Sequence, residues 1–424
     1  MQPDRTPDFS SPTRRRTMLA LAAAGLGTLA GRLSAQTSSP QPGRLVLIFL
    51  RGAYDGLSAF VPHGDAEYLR LRSSIAIPAP DGTAQTALRL DDQFALHPSL
   101  AALMPLWQQG TLAFVPAAGS PDRTRSHFEA QHHWEIAVPG KNSAASGWLN
   151  KLAGHTQLAG RNAQAPVALG VGESNPRILA GEATVQLIPS GMAATRQGAL
   201  ANDRARNALM DLYSGDDVLS RAFRQGASSR MQTAQALGGD AAMAESMAAD
   251  NGARDANGLP LDARHLASLM RQNRVLRLGF LSAGGWDTHV NQGSVSGQLA
   301  NNFASLASAI VELRREFSRP TDLILVVSEF GRTCAENGSR GTDHGHGNAM
   351  WLIGERVNGR RWHGVWEGLA HGQLNEGRDL PVHHDFRAVL AQVLRRGLGL
   401  GDSALADVLP DTSWDSRLDT LLKT

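Results

Sequence analysis

The sequence predicts an open α/β fold, and three observations carry that expectation. Short, nearly continuous apolar runs recur along the chain: RLVLIFL at 44–50, TLAFVP at 111–116, APVALGVG at 165–172, RVLRLGFL at 274–281 and DLILVV at 322–327. Such runs, rich in Leu, Val and Ile and without polar alternation, describe strands buried on both faces. Between them lie stretches with helical spacing and capping residues, and most runs stop abruptly in a polar, glycine-rich segment. In an open α/β sheet ligands bind beyond the carboxyl ends of the strands, so these segments are where chemistry is expected.

The 424-residue chain is 42% hydrophobic and 19% charged, an ordinary balance for a globular protein. Its formal net charge is +2, but the first 35 residues hold five Arg against two Asp. The remainder, with 36 basic and 37 acidic side chains, is close to neutral, and no basic patch interleaved with aromatics appears; a nucleic-acid partner is not expected. Cys334 is the only cysteine, so no intramolecular disulfide can form; beside a buried strand it is expected to be an inert small hydrophobe.

Residues 14–35, RRRTMLALAAAGLGTLAGRLSA, read as an address rather than as fold. Arg15-Arg16-x-Met18-Leu19 has the form of a twin-arginine signal, followed by a Gly/Ala-rich apolar stretch and a plausible cleavage point at Ala35. The run is too short and too weakly apolar for a stable membrane span. The expectation is export by the twin-arginine machinery to the periplasm or beyond, with 36–424 forming the mature α/β domain.

Taken in order, the first strand runs into Arg51-Gly-Ala-Tyr-Asp55-Gly56. A carboxylate and a glycine at a strand tip form either a metal or phosphate site or a simple Asp-Gly turn. Residues 63–110 read as loops and one helix, entered at His97-Pro98-Ser99 and closed by Gly110. The second strand leads to AAGSPDRTRSHFEAQHHWE, where Ser126 and Glu129 have the spacing of a capping box. Ser126 is equally placed as a nucleophile, because the helix dipole and free N–H groups would stabilise an anion there. His127, Glu129, His132 and His133 are candidates for supporting contacts around it. A helix starts at Gly147-Trp148, and the third strand carries a Gly170-x-Gly172 too short to specify a cofactor loop.

Residues 193–265 read as a helical insertion; 193–257 are rich in Ala, Arg, Gln, Met, Asp and Ser and show no strand pattern. The fourth strand ends in SAGGWDTH, where Asp287 and His289 stand two apart and can chelate one ion from an extended segment. A helix over 297–317 precedes the fifth strand. Beyond that strand come Glu329, Arg332 and Asp343-His344-Gly345-His346, whose H-x-H spacing puts two imidazoles on one side of an extended segment. A short strand at 349–353, a hairpin over 356–368 and a terminal helix over 385–397 complete the pattern. His383 and His384, just before that helix, are not expected to be ligands.

Asp55, Asp287, His289, Glu329, Asp343, His344 and His346 therefore form the candidate metal-ligating set. Ser126 is the candidate nucleophile, and Arg332 or Arg125 the group that grips an anionic oxygen. Mixed oxygen and nitrogen donors without sulfur suit Zn, Mn or Fe, or Mg or Ca where carboxylates dominate. Six or seven donors exceed what one ion needs, which favours two ions about 4 Å apart over one. No Gly-x-Ser-x-Gly elbow and no Gly-Lys-Ser/Thr phosphate loop occurs, which weakens a serine-hydrolase reading and excludes a P-loop enzyme.

RGAYDG, TRSHFEAQ, GGWDTH, SEFGRT and NGSRGTDHGHG, in this order behind the signal, resemble the family catalogued as domain of unknown function 1501 over nearly the whole mature chain. That family is similar to the alkaline phosphatase/sulfatase superfamily. The resemblance implies a three-layer αβα fold with a mostly parallel central sheet, and a small anionic ester as substrate. It also implies roles: Asp55 a ligand, Ser126 the nucleophile, Asp287 and His289 ligands of one metal, Glu329 in place of an aspartate, and His344 or His346 as the last histidine. The superfamily's Asp-x-x-x-His stands here as Asp287-x-His289, and its late Asp-His pair as Glu329-Phe330. Either Asp343-His344 compensates or one metal site is altered or absent. Ser120-Pro121-Asp122-Arg123 lacks the Cys- or Ser-x-Pro-x-Arg pattern, so formylglycine chemistry is not expected. The leading expectation is an exported metal-dependent hydrolase of phosphate or related esters. Its competitor is a secreted, non-catalytic binding or assembly protein that keeps the fold with a degenerate or structural metal site.

Overall fold

In the computed structural model, which describes residues 43–140, 146–158, 165–172, 176–191, 209–215, 217, 220–226 and 253–423, the apolar runs become strands of one nine-stranded sheet. The strands are β1 (Leu45–Leu50), β2 (Leu112–Gly119), β3 (Ala168–Gly172), β4 (Val185–Pro189), β5 (Leu278–Ala283), β6 (Leu323–Val327), β7 (Asn348–Ile353), β8 (Arg361–Trp362) and β9 (His384–Asp385). Across the sheet they run β8-β2-β7-β6-β1-β5-β3-β4, with β9 also paired to β2. β1 sits between β5 and β6 and is parallel to both, Leu47 standing opposite Phe280 and Leu325. Only β7 runs against its neighbours β2 and β6.

Alternate residues of β1 feed two separate cores, as period-two geometry requires. Val46, Ile48 and Leu50 pack with Leu266 and Met270 of α3 (Leu259–Gln272) and with Phe303 and Ile310 of α4 (Gln298–Glu316). Leu45, Leu47 and Phe49 pack on the opposite face with Trp134 of α1 (His127–Ile136), Leu149 and Leu152 of α2 (Trp148–Leu158), and Val389 and Leu390 of α5 (Phe386–Gln392). The fold is thus α/β in three layers, with a mostly parallel sheet between helices. The helical side of α3 shows why: Leu259, Ala263, Leu266, Ala267 and Met270 fall three or four apart and are all buried, giving one apolar stripe. Pro260 opens that helix where a missing N–H does no harm.

Several boundaries differ from the sequence expectation. β2 continues through Pro116 to Gly119, and Val185–Pro189 is a further strand at the sheet edge. The expected hairpin over 356–368 does not form; Arg361–Trp362 instead joins β2 in parallel. The terminal helix closes as a π-helical turn at Val393–Gly397. Most of the expected insertion, including Gly238-Gly239, lies outside the described residues, which show short helical pieces at 209–212 and 220–226. The twin-arginine segment also lies outside them.

The topology decides where chemistry can occur. β1, β2, β5 and β6 share one direction, so their carboxyl ends lie on one edge of the sheet. Because β7 is antiparallel, its start lies on that same edge, and the segment 343–347 feeding it arrives there too.

Candidate metal centre

Three loops at this edge bring four side chains together. His127 opens α1 after β2; Asp287 and His289 follow β5; His344 precedes β7. His127, Asp287 and His344 place ligand atoms that all lie within 4.8 Å of one another. His127 Nε2 is 2.9 Å from His344 Nε2, and Asp287 Oδ1 is 3.4 Å and 3.2 Å from those two nitrogens. His289 Nε2 joins them at 2.9 Å from His344 Nε2 and 3.0 Å from Asp287 Oδ1. Donors held about 2.0–2.2 Å from a tetrahedral ion stand roughly 3.3 Å apart, so His127, Asp287 and His344 are spaced as atoms that could share one ion.

The hydrogen-bond partners of the far ring nitrogens support the same reading. His127 Nδ1 is 2.8 Å from Glu329 Oε1, His289 Nδ1 is 3.1 Å from Asp343 Oδ1, and His344 Nδ1 is 2.9 Å from the carbonyl of Arg125. A backbone carbonyl can only accept, so His344 Nδ1 carries a hydrogen. Glu329 Oε1 also accepts from Gly52 N and Gln131 Nε2, and Asp343 Oδ1 from Asn337 Nδ2; both are therefore acceptors toward their imidazoles. The Nε2 of each ring faces Asp287 Oδ1, which without metal is served by Arg332 and by protonated His127; orienting an imidazole from behind through a carboxylate or carbonyl is also how metal-bound histidines are held.

The electrostatics follow from the same contacts. Burial alone would lower the pKa of His127, but hydrogen bonds to Asp287 and Glu329 outweigh it and lift the ring to about 9. Burial would raise Asp287; the contacts from His127, His344 and Arg332 hold it far below the usual carboxylate range instead. Glu329 is fully buried, which would raise it, yet His127 and Gln131 hold it at about 2. Arg332 Nη2 lies 2.5 Å from Asp287 Oδ1 and spends its remaining donors on the carbonyls of Gly52, Ala53, Trp286 and Thr342. It fixes Asp287 and ties the loops after β1, β5 and β6 together.

The structure sorts the expected residues into three groups. Asp287, His289 and His344 converge as donors. Glu329 and Asp343 stand one step back, each orienting a donor histidine. Asp55 and His346 are elsewhere. The buried Asp55 carboxylate takes two bonds from Arg72, at 2.5 Å and 3.0 Å, and further ones from Ser58 and Gln292. A buried guanidinium must be paired, and Asp55 is what pairs it. His346 turns its Nε2 to the carbonyls of Ser120 and Asp122 at 2.9 Å and 3.1 Å. Segment 344–347 bends between two backbone bonds, Gly345 N to Gly331 and Gly347 N to Leu380, so the two-residue periodicity expected to align His344 with His346 is broken. Among the described residues one group of converging donors forms, not the two-ion set that the donor count favoured.

His127 is the donor that sequence reasoning assigned only a supporting role. Its signal was present: it is the first helical residue after a capping serine at a strand's carboxyl end, which fixes it at the sheet edge. Ser126 itself is the N-cap, exposed, its Oγ accepting from Glu129 N at 3.5 Å. The Glu129 carboxylate bonds Thr124 Oγ1 rather than completing the box directly, and Thr124 Oγ1 in turn accepts from Ser126 N. Arg125 pairs with Glu376 at 2.8 Å and with Asp379 at 3.5 Å. Cys334 is buried, and burial pushes its thiol up to about 12, the inert state expected for it.

Residues 43–411 match the family described as "Protein of unknown function (DUF1501)". No curated protein matches the chain. Among solved structures it is similar to an alkaline phosphatase from the Antarctic bacterium TAB5, with 11% identity, a TM-score of 0.36, and coverage of 76% of this chain and 95% of that one. It is similar to the C-terminal periplasmic domain of EcEptC from Escherichia coli at 11% identity and a TM-score of 0.37, with 90% of each chain covered. A third similarity is to Ps i-CgsB in complex with k-i-k-neocarrahexaose, at 10% identity and a TM-score of 0.38, covering 86% of this chain and 74% of that one.

Proposed function

This chain belongs to the DUF1501 family, which supplies no activity to inherit, and from its site we propose that it is an exported, metal-dependent hydrolase of phosphate or related esters. The observation that carries the reading is the grouping of His127, Asp287 and His344 ligand atoms within 4.8 Å of one another, with His289 Nε2 close to both His344 and Asp287 and each ring oriented from behind. Three nitrogens to one oxygen favour a single transition-metal ion such as Zn, Mn or Fe over Mg or Ca, which prefer oxygen shells. Such an ion, when bound, would supply Lewis acidity toward an ester oxygen.

The chain's own residues do the rest. His127, Asp287, His289 and His344 would hold the ion, and Arg332 keeps Asp287 ionised and aimed. Ser126, adjacent in sequence to His127 and exposed at the start of α1, presents the hydroxyl. The free N–H groups of that helix face charge developing at the ester oxygen. The experiment is elemental analysis of the folded protein, then a panel of phosphate monoester, diester and sulfate substrates with wild type and Ser126→Ala. Bound metal with turnover that disappears in Ser126→Ala supports the reading; a metal-loaded protein inactive on every ester overturns it.

One observation favours the second reading, a non-catalytic binding or assembly protein with a structural ion. Four protein donors can fill a tetrahedral ion without leaving a position for substrate. Absence of turnover together with loss of folding on metal removal would decide for it.

We also propose export through the twin-arginine route, on the strength of Arg15-Arg16-x-Met18-Leu19. The donors come from loops more than 200 residues apart in sequence, so the centre exists only in a folded chain, which is the kind of cargo that route carries. Replacing Arg15 and Arg16 by Lys should leave the protein in the cytoplasm; unchanged export would remove this part of the proposal.

A further inference from the structure

Resting on the metal-dependent reading above, we infer that Gln131 and Arg51 are positioning residues of the centre. With Glu135 they form a buried relay that fixes, through Glu329, which nitrogen of the His127 ring is left for an ion.

The relay begins as a pattern on one helix. His127, Gln131 and Glu135 recur at every fourth position of α1, so they share one face of it. Their bonds run to Arg51, just beyond β1, and to Glu329, just beyond β6. Gln131, Glu135, Arg51 and Glu329 are all buried. The buried stripe of a helix is ordinarily apolar, and a buried ion pair is often no more stabilising than hydrophobic residues of the same volume. Packing alone therefore gives no reason for polar side chains at this depth.

The donors and acceptors run in one direction. A guanidinium has no acceptor, so Arg51 donates, through Nη1 to Gln131 Oε1 at 2.7 Å and through Nη2 to Glu135 Oε1. That contact decides the Gln131 amide: its NH2 group lies on the far side, where Nε2 donates to Glu329 Oε1 at 3.0 Å. The same oxygen accepts from Gly52 N at 2.8 Å, so the turn after β1 supplies both a backbone donor and the group that orients the amide. Glu329 Oε1 then meets His127 Nδ1, 2.8 Å away, as an acceptor. Nδ1 keeps its hydrogen, and Nε2 is the nitrogen turned to His344 and Asp287. A reversed amide would set oxygen against oxygen. Glu329 could then hold a proton and donate it to Nδ1, which would leave the ring hydrogen on Nε2, where it blocks an ion.

The test separates aiming from packing. Wild type is compared with Gln131→Met and with Arg51→Met/Glu135→Leu, which removes the ion pair as a unit and leaves Gln131 in place but unheld. Folding is followed by circular dichroism, zinc affinity by competition with a chromophoric chelator, and the His127 Nδ1 hydrogen by its exchange rate in heteronuclear NMR. Both variants should stay folded, bind zinc about tenfold more weakly and exchange that hydrogen about tenfold faster. Should Gln131→Met not fold, the double variant, which strands no charge, carries the comparison alone. A relay that only packs would change stability and nothing else, so wild-type zinc affinity and exchange in a folded variant overturn the inference. If wild type takes up no zinc, the metal-dependent reading fails and the exchange rate decides: faster exchange in the variants supports the positioning role, and unchanged exchange overturns it.

Discussion

His127 Nδ1 lies 2.8 Å from Glu329 Oε1, a carboxylate oxygen that also accepts from Gly52 N and Gln131 Nε2. That contact makes Glu329 the orienter of a donor rather than a donor, because its acceptor capacity is already directed away from the centre. Glu329→Gln keeps the shape but weakens the acceptor that aims the ring. Metal affinity is expected to fall about 10–100-fold, the usual penalty for losing such a partner. A metal titration followed by elemental analysis measures it; an unchanged affinity would show that the ring is aimed by packing against Phe330 alone.

The His127 ring sets a pH dependence whose sign differs between the metal-free and metal-loaded protein. Without metal its pKa is raised from an ordinary 6.5 to about 9 by the carboxylates of Asp287 and Glu329. A raised folded-state value stabilises the fold fully below about 6.5 and loses that contribution as pH climbs through about 9. The metal-free protein should therefore lose stability between these limits. Metal binding must expel the same proton, so metal affinity should rise as pH climbs through the same window, by up to tenfold per unit. Thermal melts and metal titrations at pH 6.5, 7.5 and 8.5 read both slopes. Parallel slopes would mean that His127 is not among the ligands.

Much of the architecture was legible because buried parallel strands leave a blunt signal. RLVLIFL, RVLRLGFL and DLILVV each became a strand of the sheet centre, and the carboxyl-end rule placed the site. What the sequence does not carry is the pairing of buried charges. Nothing local distinguishes Asp55, committed to Arg72, from Asp287, committed to the centre; the choice is made by a guanidinium 17 residues away in one case and by His127 and His344 in the other. His344 and His346 look equivalent until the bend at Gly345 and Gly347 sends them to different partners. Val185–Pro189 was missed because an edge strand only partly buried lacks the continuous apolar run. The hairpin expected over 356–368 failed for the opposite reason, since the edge of β2 offered Arg361–Trp362 better backbone partners than a local turn could.

Asp55→Asn tests the separation of the two carboxylates directly. Asp55 and Arg72 are both fully buried, so removing one charge strands the other, with an expected loss of about 3–5 kcal/mol. Metal stoichiometry in the folded fraction should stay at the wild-type value. Chemical denaturation gives the first quantity and elemental analysis the second; a folded Asp55→Asn protein lacking metal would return Asp55 to the ligand set.

Ser126 holds two roles that one substitution cannot separate. Ser126→Ala removes the cap of α1 and should cost about 1 kcal/mol. Ser126→Asn keeps a capping oxygen but offers no hydroxyl. If Ser126 is the nucleophile, both variants lose turnover while only Ser126→Ala loses stability. Turnover that tracks stability across the pair would reduce Ser126 to a helix cap.

Gly331 is where the loop after β6 crosses the segment carrying His344. Its N–H donates to His346 O and its carbonyl accepts from Gly345 N, both at 2.8 Å, so the two backbones touch without side chains between them. A Cβ built at Gly331 would stand 1.9 Å from the carbonyl oxygen of Gly347, a backbone atom with no rotamer to escape into. Gly331→Ala must push the 344–347 segment outward. That movement strains the loop by about 1–3 kcal/mol and carries His344 away from Asp287 and His127. The variant should therefore lose metal far more completely than its loss of stability alone would explain. The comparison is metal content at a temperature where the variant is still fully folded by circular dichroism. Wild-type metal content there would mean that the crossing does not position His344, and that the centre tolerates a looser edge than the donor separations imply.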